Sequence, residues 1–215
     1  MRIISGLLPL LLLTGCSDSN VQSPGGSFKA PWDKWYFSFT TPKALPAQVT
    51  LVKLLDINGY GYVFQTIDQP QGNSVGSWGP RVGIGITTFN KGDAPPQVLT
   101  FCWDSIIDKK VYETTLLFSS DTSGKMASSE PQWNNPEEAY YFRHMVIGLA
   151  PEGKVRVWLK NNGKPNIELT STKIITVSGK DLDMCKDETN FPNGYEYSEG
   201  MKLFIKDKKY PYGNW

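Results

Sequence analysis

From Trp32 onward the chain alternates apolar and polar residues in short runs separated by turn residues. That period of two is the signature of half-buried strands. "WYFSFTT" (Trp35–Thr41) is the first such run. "QVTLVKLLDI" (Gln48–Ile57) and "YGYVFQTI" (Tyr60–Ile67) flank Asn58-Gly59, a strong hairpin signal. A two-residue turn there places Ile57 opposite Tyr60 and Leu55 opposite Tyr62. "RVGIGITTF" (Arg81–Phe89), "QVLTFCW" (Gln97–Trp103) and "KVYETTLLF" (Lys110–Phe118) continue the pattern. In Gln97–Trp103, Leu99, Phe101 and Trp103 share one face, and Val98, Thr100 and Cys102 the other.

A loop through "SSEPQWNNPEEA" follows, with one helical turn allowed at the Pro136-Glu137-Glu138 start. Tyr141–Ala150 and Lys154–Lys160 read as strands joined at Pro151-Glu152-Gly153. In the second, Val155, Val157 and Leu159 point one way; Lys154, Arg156, Trp158 and Lys160 point the other. "IELTSTKIITV" (Ile167–Val177) and "MKLFIKD" (Met201–Asp207) complete the set. The pattern predicts a mainly β, antiparallel, sandwich-like single domain over residues 32–215, with nine to eleven strands and little helix.

The first residues break from this pattern. Arg2 precedes an apolar run, Ile3–Leu13, too short for a permanent span, which needs about 20 residues. A charged start, a short apolar core and small residues before a cut site read as a signal peptide over residues 1–15. The cut site, Leu13-Thr14-Gly15-Cys16, looks like the lipobox of bacterial lipoproteins. That resemblance implies acylation of Cys16 and cleavage just before it. One acyl chain anchors only marginally, and two or more hold firmly. Residues 16–31 are Gly/Pro/Ser-rich and aperiodic, as expected of a flexible tether. In the Gram-negative lipoproteins that the motif resembles, an Asp after the cysteine tends to retain the protein in the inner membrane; with Ser17 there, the resemblance implies the periplasmic leaflet of the outer membrane.

Charge and cysteine usage narrow the field. The full chain carries 22 basic and 21 acidic side chains; loss of residues 1–15 removes Arg2 and leaves the two balanced. No basic stripe suggests nucleic-acid binding, and "IKDKKY" (Ile205–Tyr210) reads as a solvated strand end. With Cys16 acylated, Cys102 and Cys185 remain. In an oxidising compartment they are either a disulfide or two separate buried thiols, and spacing does not decide between them. One His and no Cys-x-x-Cys leave a metal site without support, and no cofactor is implied.

Candidate catalytic groups are poorly set. "GNSVG" (Gly72–Gly76) matches a nucleophile-elbow pattern around Ser74, but its flanks supply neither the strand nor the helix that motif needs. His144 would be its base and sits in an aromatic strand pattern. Glu137-Glu138 and Asp181/Asp183 lie in polar, solvated stretches, and Ser119–Lys125 reads as a loop rather than a phosphate cradle. The reading is therefore non-enzymatic. Trp78, Trp133 and Trp215 stand among Gly, Pro and Asn, where an exposed ring could stack on a sugar.

Two blocks carry a family resemblance: Trp103, Ser105 and Tyr112 in "FCWDSIIDKKVYE", and Gly148–Leu159 in "GLAPEGKVRVWL". With the lipobox, the chain resembles proteobacterial lipoproteins grouped as a domain of unknown function, over most of residues 32–180. The resemblance implies no enzymatic activity. Some members stand beside lipase effectors of type VI secretion systems, so it implies an immunity protein that binds a phospholipase at the membrane. Arg81 beside Trp78, and Arg156 beside Trp158, are the candidate partner-binding anchors. The alternative is an envelope lipoprotein that binds glycan or assists assembly.

Overall fold

The structure is a computed structural model that describes residues 26–42, 45–65, 78–79 and 89–215. Cys16, Ser74, Arg81 and all but the last residue of the expected strand 81–89 lie outside the described residues. The strands, in chain order, are β1 Trp35–Thr40, β2 Ala47–Asp56, β3 Gly61–Phe64, β4 Lys91–Gly92, β5 Pro96–Ser105 and β6 Lys110–Leu117, then β7 Ser129–Gln132, β8 Asn135–Tyr141, β9 His144–Ala150, β10 Lys154–Leu159, β11 Ile167–Glu168 and β12 Lys173–Ser178. Helix α1 spans Ser120–Ala127 and α2 spans Glu199–Ile205.

One five-stranded sheet runs β11-β10-β9-β1-β4, a second runs β12-β6-β5-β2-β3, and β7-β8 form a separate hairpin. The alternation read from the sequence sets which side chains face inward. Phe37, Phe39, Met145, Ile147, Val157 and Leu159 of the first sheet meet Val49, Leu54, Leu99, Phe101, Trp103 and Leu116 of the second in one core. Phe39 of β1 lies 5.1 Å from Phe101 of β5, ring to ring, which places the contact between sheets. The mainly antiparallel sandwich holds, with one parallel pair: β1 runs beside β9, Tyr36 opposite His144 through Thr40 opposite Gly148.

Several local expectations differ. The β2–β3 hairpin pairs Leu55 with Gly61 and Leu54 with Tyr62, one residue out of the expected register. A two-residue turn would need positive φ at Asn58 as well as Gly59. Only Gly59 adopts it, at φ +85°. The Asn58 N–H donates to Asp56 Oδ1 and its side chain is bonded to Phe28, so a three-residue loop forms.

Ser119–Lys125, read as a loop, falls mostly in α1, because burying Thr122 and Met126 one turn apart outweighs the weak helix formers around them. The Pro136-Glu137-Glu138 segment is strand β8, not a helical turn. Tyr141–Ala150 breaks at Phe142-Arg143, and Phe142 packs into the core. Ile167–Val177 splits into β11 and β12, which belong to opposite sheets, so the chain crosses the sandwich there. Met201–Asp207 is mostly α2, started by the Ser198 side chain accepting the Met201 N–H at 3.3 Å, and "IKDKKY" is the helix end and the turn after it.

Candidate functional site

The two sequence blocks meet at one carboxylate. Asp108 lies in the β5–β6 turn, and its Oδ2 accepts from Ser105 Oγ (3.0 Å), Tyr112 OH (3.0 Å) and the Glu152 N–H (2.6 Å) of the β9–β10 turn. Ser105 and Tyr112 are thus spent on holding a turn, and Asp108, which the sequence reading passed over, is the group that joins them. Burial, and then the Asp108 charge, push the Tyr112 hydroxyl well above its ordinary range, so it remains a donor. Gly153 adopts φ +68°, and a Cβ there would come within 3.0 Å of the Tyr112 ring. Beside it lies an open recess of about 530 Å³ lined by Lys110, Glu152, Lys154, Thr176 and Ser178. Its Glu152 carboxylate accepts the Gly213 N–H (2.7 Å) and Trp215 Nε1–H (2.9 Å), which hold its pKa below the usual value. Trp215 is therefore tied down at this recess.

A second carboxylate anchors the C-terminal segment. Asp104, fully buried on the outward side of β5, accepts from Thr189 Oγ1 (2.6 Å), Asn190 N (2.9 Å) and Tyr195 OH (2.8 Å). Glu113 Oε2 accepts the Asp183 and Cys185 N–H groups, at 3.0 and 2.9 Å. Cys102 and Cys185 are joined by a disulfide, packed with Leu51, Val111 and Leu182. A signal for Asp104 was available: an acid directly follows the apolar strand run "QVLTFCW". The partners of Asp104 and Glu113 are about 70 to 91 residues away in sequence, beyond any local pattern.

On the outward side of the other sheet, three of the four anchor candidates meet. Trp78 and Trp158 pack edge to face at 5.6 Å, and Val146 packs with them. The Arg156 guanidinium lies 5.3 Å from the Trp158 ring and 5.8 Å from Trp78. Its fork is fixed by Glu168, Nε to Oε1 at 2.8 Å and NH2 to Oε2 at 2.5 Å. Trp158 is only 5% exposed, so it supports this platform from beneath and is not itself an exposed anchor. The rings cover it because Gly148 leaves room; a Cβ there would sit 2.7 Å from both. Arg81 lies outside the described residues.

An aromatic recess of about 400 Å³ opens near the β7–β8 hairpin, lined by Trp32, Gln132, Tyr140, Tyr141, Arg143 and His144. His144 stacks on Tyr36 at 5.4 Å. Burial, and then the Arg143 and Lys160 charges, depress its pKa to about 4, so it is neutral at pH 7. Trp133, at 73% exposure, projects from the hairpin nearby in sequence. Glu137, Glu138, Asp181 and Asp183 are all exposed. Among the described residues no group of three or more His, Cys, Asp or Glu side chains is placed to hold a metal ion, and no helix is long and apolar enough to cross a membrane.

A family model, DUF2931, described as a protein of unknown function, matches residues 19–213. The match takes in the C-terminal segment that the two sequence blocks alone did not reach. No curated protein and no solved structure matches the chain.

Proposed function

Because the chain belongs to the DUF2931 family of proteins of unknown function, we propose that its role is binding. It acts as a lipid-anchored protein of the outer-membrane periplasmic leaflet that captures and neutralises a toxic lipase effector of a type VI secretion system. The observation that carries this reading is the lipobox Leu13-Thr14-Gly15-Cys16 ahead of a domain whose acidic hubs are closed on themselves. Asp104 and Asp108 each accept three hydrogen bonds from their own chain, so they are occupied as structural groups. Arg and Trp are the residue types that concentrate binding energy in interfaces. Arg156 over Trp78 and Trp158 offers such a centre, with the guanidinium side chain 39% exposed and already oriented by Glu168.

Acyl chains at Cys16 hold this platform at the membrane that the lipase attacks. The test is co-purification with a lipase encoded beside this gene, followed by Trp78→Ala and Arg156→Ala. Each variant weakens capture by about tenfold or more for a central anchor. Cells that lack the protein and still resist the lipase sink the proposal.

A glycan-binding role is the second reading, and the Trp32–Tyr140–His144 recess favours it. Its rings and the Gln132 and Arg143 polar groups are the mixture that holds a sugar. Retention on isolated peptidoglycan, lost in Trp32→Ala, would select this reading over the first.

A further inference from the structure

The outward face of the β12-β6-β5-β2-β3 sheet is divided in two. At one end Leu51, Cys102, Glu113 and Asp104 lie under the C-terminal segment. At the other end strand register sets Leu55 beside Val98, Val98 beside Leu117, and Val63 beside Lys53. Ile175 lies one register row away, opposite Thr115. Among the described residues, the hydrogen bonds of the C-terminal segment to this sheet go to Gln48, Thr50, Asp104 and Glu113, all in the covered half. Val63 is 62% exposed and Tyr60 65%, with Leu55, Ile57 and Ile175 also exposed. The same half carries the exposed Lys53 and Lys173.

The tether leaves the domain at this end. Phe28 N–H donates to Asn58 Oδ1 at 2.8 Å, and Asn58 Nδ2 donates to Phe28 O at 3.0 Å. These two bonds pin the chain to the β2–β3 turn, beside Leu55 and Tyr60. A chain of ~12 residues, the span from Cys16 to Phe28, reaches at most about 40 Å. An acylated Cys16 therefore keeps the hairpin end of the sandwich within about 40 Å of the bilayer.

We propose that the bare half of this sheet, with the β2–β3 hairpin, rests on the lipid surface. The proposal rests on the acylation of Cys16 argued above. The chemistry fits that occupant. Aliphatic side chains and a tyrosine enter the headgroup boundary, and Lys53 and Lys173 face anionic phospholipid. The high local concentration imposed by the tether makes a weak contact sufficient. In this orientation the Arg156–Trp78 platform, on the opposite sheet, faces away from the bilayer.

The test uses the full-length protein, isolated from membranes and mixed with vesicles of phosphatidylethanolamine and phosphatidylglycerol bearing brominated chains. Val63→Trp adds a reporter on the face; Leu203→Trp adds one on α2, where Leu203 is 68% exposed. The added fluorescence at 63 is quenched about twofold or more relative to that at 203, and Leu55→Asp with Ile57→Asp removes the difference. Circular dichroism confirms that these variants fold. Equal quenching at both positions overturns the proposal. Mass spectrometry of the same sample reads acylation separately. An unacylated Cys16 with quenching at 63 removes the anchor and keeps the lipid contact; an acylated Cys16 without quenching does the reverse.

Discussion

Single side chains in this molecule are set mainly by what they leave unpaired if removed. Asp108→Ala strands the Ser105 and Tyr112 hydroxyls and the Glu152 N–H together. A loss of about 1–3 kcal/mol in urea unfolding follows, because the part-buried hydroxyls lose their acceptor while the exposed Glu152 N–H turns to water. Gly148 is set by space. An alanine Cβ meets two indole rings at 2.7 Å, so Gly148→Ala lowers stability by about 1–3 kcal/mol through overpacking, read in the same unfolding series. His144 makes stability depend on pH. Its native pKa, about 4, lies below the unfolded value near 6.5. Between these values the unfolded chain binds the proton and the native chain does not. This contribution is complete above pH 6.5 and fades as pH falls toward 4. Arg143 and Lys160, which face the ring, act in the same direction. The difference in unfolding free energy between wild type and His144→Gln, measured from pH 7 to 4.5, narrows with falling pH; a constant difference would contradict this assignment.

Elements differ in what holds them. β5 is central to its sheet, paired to β2 and β6 along its length, and its inward residues follow the period of two closely. The C-terminal segment has no such regularity. It is held by Asp104, Glu113 and the disulfide. Asp104→Ala removes the acceptor of three bonds to residues 189–195, so that stretch opens locally while the sandwich persists. Limited proteolysis then cuts between Thr189 and Tyr195 faster in the variant under oxidising conditions. No change in that cutting rate would show that the aromatic cluster Phe191–Tyr195–Tyr197 holds the segment without Asp104.

For the whole molecule, the disulfide is a covalent constraint, joining Cys102 and Cys185 across 83 residues. Replacing both by Ala lowers unfolding free energy by about 2–5 kcal/mol, since the unfolded chain regains the freedom of that loop. Reductant added to the wild type reproduces the loss and leaves the double variant unaffected. The same bond divides the outward face of its sheet into a covered and a bare end. A sandwich of two sheets thus presents two different outer surfaces: an aromatic–guanidinium platform on one and an apolar, lysine-bordered half-face on the other.

The sequence by itself determined the fold class and most strand positions, because side-chain alternation is local and burial on one face of a sheet enforces it. It also carries, as one contiguous stretch, the Leu13-Thr14-Gly15-Cys16 motif on which the proposed anchor rests. Tertiary structure decided whatever depends on distant partners. The β2–β3 register shifted because Asn58 is shared with Phe28, 30 residues earlier. The run Ile167–Val177 split because its halves pair with β10 and β6 in different sheets. α1 formed because Met126 found a core, and α2 because Ser198 capped it. Ser105 and Tyr112 could be picked out from the sequence, but their acceptor could not, since only the β9–β10 turn completes the site around Asp108. Hydrogen bonds between residues distant in the chain leave no periodic trace, whereas exposure and burial along a strand do.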